Sequence, residues 1–136
     1  MTEICREKPT TDTLARLYRD AGWLEDPETL DLKKSIENTS VWILAKEAKV
    51  VVGIARLQTD YVRYCCVYDL IIRSDRRREG IGRKIMNEAL AFCEENRVQV
   101  MHLWPTKGNA GYYTQFGFQA LGPDQPTMMK ATPQPT

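Results

Sequence analysis

A chain of 136 residues with 19 Lys and Arg against 18 Asp and Glu, a net charge of +1 and 43 % hydrophobic residues suits one domain built on one core. So even a balance argues against general nucleic-acid binding through bulk charge, and no apolar run approaches bilayer-spanning length. The four cysteines, Cys5, Cys65, Cys66 and Cys93, form no Cys-x-x-Cys pair and have no set of histidines beside them, so the expectation is reduced thiols in a cytoplasmic protein, with no metal site. The start, Met-Thr-Glu-Ile-Cys-Arg-Glu-Lys, lacks a signal-peptide core.

In chain order, Thr2 to Glu7 reads as a short strand ended by Pro9. Thr11 or Asp12 can cap a helix to about Ala21, with Leu14, Leu17, Tyr18 and Ala21 on one face. After Gly22, a loop carrying Trp23 and Glu25 leads to Asp26-Pro27-Glu28, which predicts a second helix capped by Asp26 and ending near Asn38. Val41–Ala45 and Lys49–Leu57 predict two strands joined by a hairpin that lacks the usual glycine. A third long strand runs from about Tyr64 to Ile72.

Beyond that strand come Arg76-Arg77-Arg78-Glu79-Gly80-Ile81-Gly82-Arg83-Lys84. Two glycines one residue apart let the backbone turn sharply and let a ligand approach without meeting a Cβ. A helix follows, since Ile81, Ile85, Met86, Ala89, Leu90 and Cys93 form one stripe. Its first amides lack helical partners and the macrodipole adds positive charge there, so a multiply charged phosphate ligand is the natural guest among these arginines. A dinucleotide fingerprint is excluded because its third glycine would fall at Ile85. Val98–Trp104 predicts a strand parallel to Tyr64–Ile72 through the helical crossover. A short helix over Asn109–Gln115, strands over Phe116–Leu121 and Thr127–Ala131, and a frayed tail over 132–136 complete the chain.

The pattern Arg77-x-x-Gly80-x-Gly82 after a β-branched strand resembles the acetyl-CoA signature of the GNAT N-acetyltransferase superfamily. Ala110-Gly111-Tyr112-Tyr113-Thr114-Gln115-Phe116-Gly117-Phe118 is similar to that family's later motif, in which a tyrosine stands four residues before Gly-Phe. Ser74, where the family usually has proline, and Arg76, at a position often aromatic, depart from the pattern in the loop. The resemblance implies an α/β (α+β) fold: a mixed central sheet of six to seven strands, the fourth and fifth splayed apart, flanked by about four helices. It covers the core from about Val41 to Lys130 and, more loosely, the two helices before it, within one expected domain over residues 1–131.

The same resemblance implies the site. Acetyl-CoA would lie in the splay, its pantetheine on the backbone of Leu70, Ile71 and Ile72 and its pyrophosphate on Arg77, Arg78, Glu79, Gly80, Ile81, Gly82 and Arg83. Asn109 would contact the cofactor or cap its helix. Tyr113 matches the tyrosine that protonates the departing thiolate, a role open to a phenol that stays protonated at neutral pH. Asp69, in the fourth strand, is the candidate base, or else a structural acid satisfied by a backbone N–H or an arginine; by alternation it shares a face with Val67 and Ile71. His102, the only histidine, reads as a sheet residue. Trp23 and Glu25 would border the amine acceptor, an aromatic and an acid suited to a cation.

Direct acetyl transfer from acetyl-CoA to a primary amine is the function these features imply; the oligomeric state stays open, with a homodimer, common in the family the chain resembles, among the assemblies it allows. A non-catalytic acyl-CoA-binding regulatory module is the alternative, and nucleic-acid binding by the arginine cluster a third. A small amine, an amino sugar, a polyamine or a protein amine all remain open as acceptors.

Overall fold

The computed structural model of the protein describes residues 1–134. They divide into two compact units, Met1–Leu103 and a second that begins at Trp104. Of the predicted tail, residues 132–134 carry no helix or strand, and 135–136 lie outside the described residues.

The first unit is built on a five-stranded sheet with the order β1-β2-β3-β4-β5. Its strands are β1 (Glu3–Cys5), β2 (Val41–Glu47), β3 (Val50–Thr59), β4 (Tyr64–Ile72) and β5 (Val100–Leu103), and its helices are α1 (Thr11–Asp20), α2 (Leu32–Asn38) and α3 (Ile81–Asn96). Neighbours are antiparallel as far as β4, and β4 pairs with β5 in parallel, with α3 as the crossover. The sheet is covered on both sides, which is why β2 to β4 read as nearly unbroken apolar runs. Trp42, Leu44, Ile54 and Ile71 pack with Leu14, Leu17 and Tyr18 of α1 and Leu32 and Ile36 of α2. Ile43, Ala45, Ala55 and Leu57 alternate with those residues and are also buried, on the α3 side. There α3 buries Ile81, Ile85, Met86, Ala89, Phe92 and Cys93.

Local chemistry moved several predicted boundaries. Thr10, one residue earlier than predicted, caps α1 by accepting from the Thr13 amide. The second helix does not start at Asp26. Pro27–Thr29 make a single 3₁₀ turn, the chain extends at Leu30, and Asp31 caps α2 through the Lys34 amide. Ala48 and Lys49 both take the left-handed conformation, so the β2–β3 hairpin closes in two residues without a glycine.

The second unit contains α4 (Ala110–Tyr113) and a 3₁₀ turn over Thr114–Phe116. The strands predicted over Phe116–Leu121 and Thr127–Ala131 are absent, so the sheet has five strands among the described residues rather than six to seven. A strand needs a neighbour for its amides and carbonyls. Here Gly117 turns left-handed, a turn closes from Gly122 to Gln125, and Leu121, Met128 and Met129 stay exposed.

Candidate active site

The site in the first unit begins with an irregularity in β4. Gly53 and Ile54 pair with Ile72 and Ile71, but Arg56 and Leu57 pair with Tyr68 and Val67, so β4 carries one extra residue opposite Ala55. Asp69 takes up that residue with φ = +52°, a left-handed conformation that aspartate tolerates better than most side chains. The expected alternation therefore fails. Val67 and Ile71 follow partners three residues apart on β3 and lie on opposite faces, and Asp69 is not a carboxyl among apolar strand neighbours.

Asp69 turns instead toward α1 and β3. Its Oδ2 accepts a hydrogen bond from the Tyr18 hydroxyl at 2.7 Å and from Arg56 Nη1 at 3.1 Å. Burial, and next the charge of Asp69, push the Tyr18 phenol well above its ordinary value, so it stays a donor. Arg56 is fixed in turn: its Nε donates to Thr39 Oγ1 at 3.2 Å, and its guanidinium lies 5.5 Å from the centre of the Trp42 ring. Thr39 Oγ1 donates to the Ser35 carbonyl, and Trp42 Nε1 to that of Ile36. Tyr18 and Arg56 were missed in the sequence. A lone arginine in the apolar run of β3, facing a lone aspartate in the apolar run of β4, was the signal available for the pair.

A bulge bends its strand, and the bend falls where pairing between β4 and β5 stops. That pairing joins Tyr64–Val67 to Val100–Leu103, and β4 runs on from Tyr68 to Ile72 without a β5 partner. The Arg73 amide donates to the Val52 carbonyl, so by the alternation of an antiparallel ladder Ile71 also spends its backbone groups on β3. Leu70 and Ile72 are left facing the open edge. Arg77 Nε already reaches the Ile72 carbonyl at 3.2 Å.

From this edge the chain passes through a 3₁₀ turn at Ser74–Arg76 into the glycine bend. Gly80 is the N-cap of α3 at φ = +83°, and a Cβ there would meet nothing within 4 Å, so its role is conformational. The first intrahelical bond is Lys84 N–H to the Gly80 carbonyl, leaving the Ile81 and Gly82 amides aimed out of the helix end. Arg77, Arg78, Arg83 and Lys84 are exposed around them. Arg76 is committed elsewhere, gripped by Glu79 and Glu47, so it adds little net charge to the bend.

The remaining predicted residues lie elsewhere in the chain. Trp23 and Glu25 are exposed in the loop after α1, and the Trp23 amide donates to the Tyr18 carbonyl. Asn109 and Tyr113 belong to the second unit. Asn109 stands at the N-cap position of α4, but its side chain donates to Thr106 Oγ1 and does not cap. Tyr113 packs edge-on against Tyr112 and Phe118, with ring centres at 5.1 and 6.3 Å, and burial raises its phenol above the usual value. His102 lies edge-on to Tyr64 across β4 and β5.

None of the thiols has the depressed pKa of a nucleophilic cysteine. Burial pushes Cys65 up to about 12 and raises Cys5, Cys66 and Cys93. A maleimide at neutral pH is therefore expected to label at most the half-buried Cys5 in the native protein and all four thiols in denaturant, as counted by mass spectrometry. Rapid native labelling of Cys65 or Cys93 would contradict the packing of α3 on β4. Among the described residues no group of acids, cysteines and histidines is placed to hold a metal ion, and no helix is long and apolar enough to cross a membrane.

Comparison with known proteins places this geometry. Residues 8–118 match the acetyltransferase (GNAT) family. A GNAT-family acetyltransferase of Streptococcus pneumoniae TIGR4 is 30 % identical, with a TM-score of 0.79 over 97 % of this chain and 98 % of that one. A probable acetyltransferase of meticillin-resistant Staphylococcus aureus superposes with a TM-score of 0.84 at 18 % identity, over 97 % of this chain and 100 % of that one. A GNAT acetyltransferase of Brucella melitensis, solved in complex with acetyl-CoA, gives 0.68 at 22 % identity over 93 % and 92 % of the two chains. An uncharacterised N-acetyltransferase of Gracilaria tenuistipitata var. liui is 22 % identical over 77 % of this chain, which spans 59 % of that relative's length. With the family matched across most of its length, and a bulged, open-edged strand running into a glycine-capped helix, the chain belongs to the GNAT acetyltransferase family.

Proposed function

We propose that residues 1–131 act as one N-acetyltransferase domain that moves the acetyl group of acetyl-CoA directly to a primary amine. The observation that carries this reading is the continuity of the open β4 edge with the glycine-capped end of α3. Leu70 and Ile72 offer backbone donors and acceptors to an amide-rich chain, while the Ile81 and Gly82 amides and the exposed Arg77, Arg78 and Arg83 suit a pyrophosphate. Acetyl-CoA has both parts, and the Brucella melitensis relative was solved with it.

In this reading acetyl-CoA supplies an activated acyl carbon. The amine nitrogen forms the new C–N bond as the C–S bond breaks, its proton passes to Asp69 directly or through water, and the departing thiolate takes a proton from Tyr113. The raised thiols support direct transfer over an acyl-cysteine intermediate. Trp23 and Glu25 are proposed to meet the acceptor, and Asn109 the cofactor. Working inside the cell and pairing into a homodimer belong to the same proposal.

Free CoA should appear when the protein is mixed with acetyl-CoA and one of a panel of amines, amino sugars, polyamines and peptides, with the acetylated product seen by mass spectrometry. CoA binding by calorimetry without product from any acceptor would favour a regulatory acyl-CoA-binding module instead. Binding of neither CoA nor acetyl-CoA would remove the reading altogether.

A further inference from the structure

We infer that Tyr18 and Arg56 are positioning residues that present one oxygen of Asp69 to the acceptor; this rests on the proposed acetyl transfer. Both donors take the same atom, Oδ2, and among the described residues no donor meets Oδ1. A carboxylate held at one oxygen from two directions cannot swing, so the free oxygen has a fixed place and direction. The Arg56 and Asp69 side chains remain 19 % and 20 % exposed, enough for an acceptor amine or a relay water to reach Oδ1.

Each donor is anchored more firmly than an ordinary surface partner. Tyr18 is 6 % exposed on the buried stripe of α1, so its hydroxyl arrives from a packed helix. Arg56 spends Nε on Thr39, at the end of α2, and lies over Trp42. Through these contacts Asp69 is tied to both helices on its face of the sheet. The bulge gives the reason for the arrangement. In a regular β4 the residue at this position would follow the pleat, whereas the left-handed turn at Asp69 brings its carboxylate to Oδ2 contacts 51 and 13 residues away in sequence.

The test is a double-mutant cycle on kcat, run with the acceptor the parent acetylates fastest. Tyr18→Phe is expected to lower kcat about tenfold, the worth of one hydrogen bond to a charged group, with KM for acetyl-CoA unchanged. Arg56→Met should lose more than Arg56→Lys, which keeps the charge. In an Asp69→Asn background neither Tyr18→Phe nor Arg56→Lys should cost anything further, because the group they position has lost its role.

Equal losses in both backgrounds would overturn the inference and leave acetyl transfer standing, since they would mark a role in stability alone. Full turnover in Tyr18→Phe would overturn it too. Parent-like turnover in Asp69→Asn would remove the carboxylate from the mechanism and the inference with it, and a parent inert toward every acceptor would fell both readings together. Should Arg56→Met fail to fold, Tyr18→Phe and Arg56→Lys complete the cycle.

Discussion

Tyr113→Phe is expected to lower kcat by about 10²- to 10⁴-fold, the usual worth of a positioned general acid, while CoA binds as in the parent. The substitution removes one oxygen and leaves the ring, so the edge-on contacts with Tyr112 and Phe118 survive. Within residues 104–134 the Tyr113 hydroxyl meets no hydrogen-bond partner, so its loss strands no buried group there. Burial, and then the neighbouring Tyr112, raise the phenol, so it carries its proton through the neutral range, as the proposed proton donor must. Steady-state rates set beside calorimetry with CoA separate the two effects. Parent-like turnover would take Tyr113 out of the reaction, and a matched fall in CoA affinity would recast it as a binding residue.

Trp42→Ala is expected to lower the free energy of unfolding by about 3–5 kcal/mol. Against a typical total of about 5–15 kcal/mol, that brings the chain close to its folding limit. Trp42 is 2 % exposed, between α2 and the sheet. Truncation leaves a cavity, strips the Ile36 carbonyl of its indole donor and removes the ring beneath Arg56. Trp42→Phe keeps an aromatic ring and should cost less, with most of its loss traceable to the missing N–H. Urea unfolding of the three proteins measures the series; an unchanged midpoint for the alanine variant would show that the indole does not organise this core.

The parts legible in the sequence were those whose causes lie within a few residues. The boundaries of β4 and α3 follow from a β-branched run, two glycines and one helical stripe, and they fall where those signals place them. The glycine bend came through one short motif, and the short helix that carries Tyr113 through another. Features that depend on distant partners were not legible. Whether the residues after Phe116 form strands depends on a free sheet edge to pair with, and β-propensity carries no such information. Asp31 displaced Asp26 as a cap because the chain extends at Leu30, a choice that the favourable Asp-Pro-Glu start conceals. The contacts of Asp69 were hidden for a similar reason, since they need a register slip against β3 that no alternation of β4 reveals.

That slip has a consequence for the strand as a whole, best put as parity. Counting by twos from Tyr64 gives the correct side of the sheet as far as Tyr68 and the wrong one from Ile71 onward. The two halves of β4 are out of phase by a single residue, so the first satisfies a parallel neighbour while the second leaves its edge unmatched by any strand of residues 1–103. One odd residue thus divides a single strand into a wall and, under the proposed acetyl transfer, a berth.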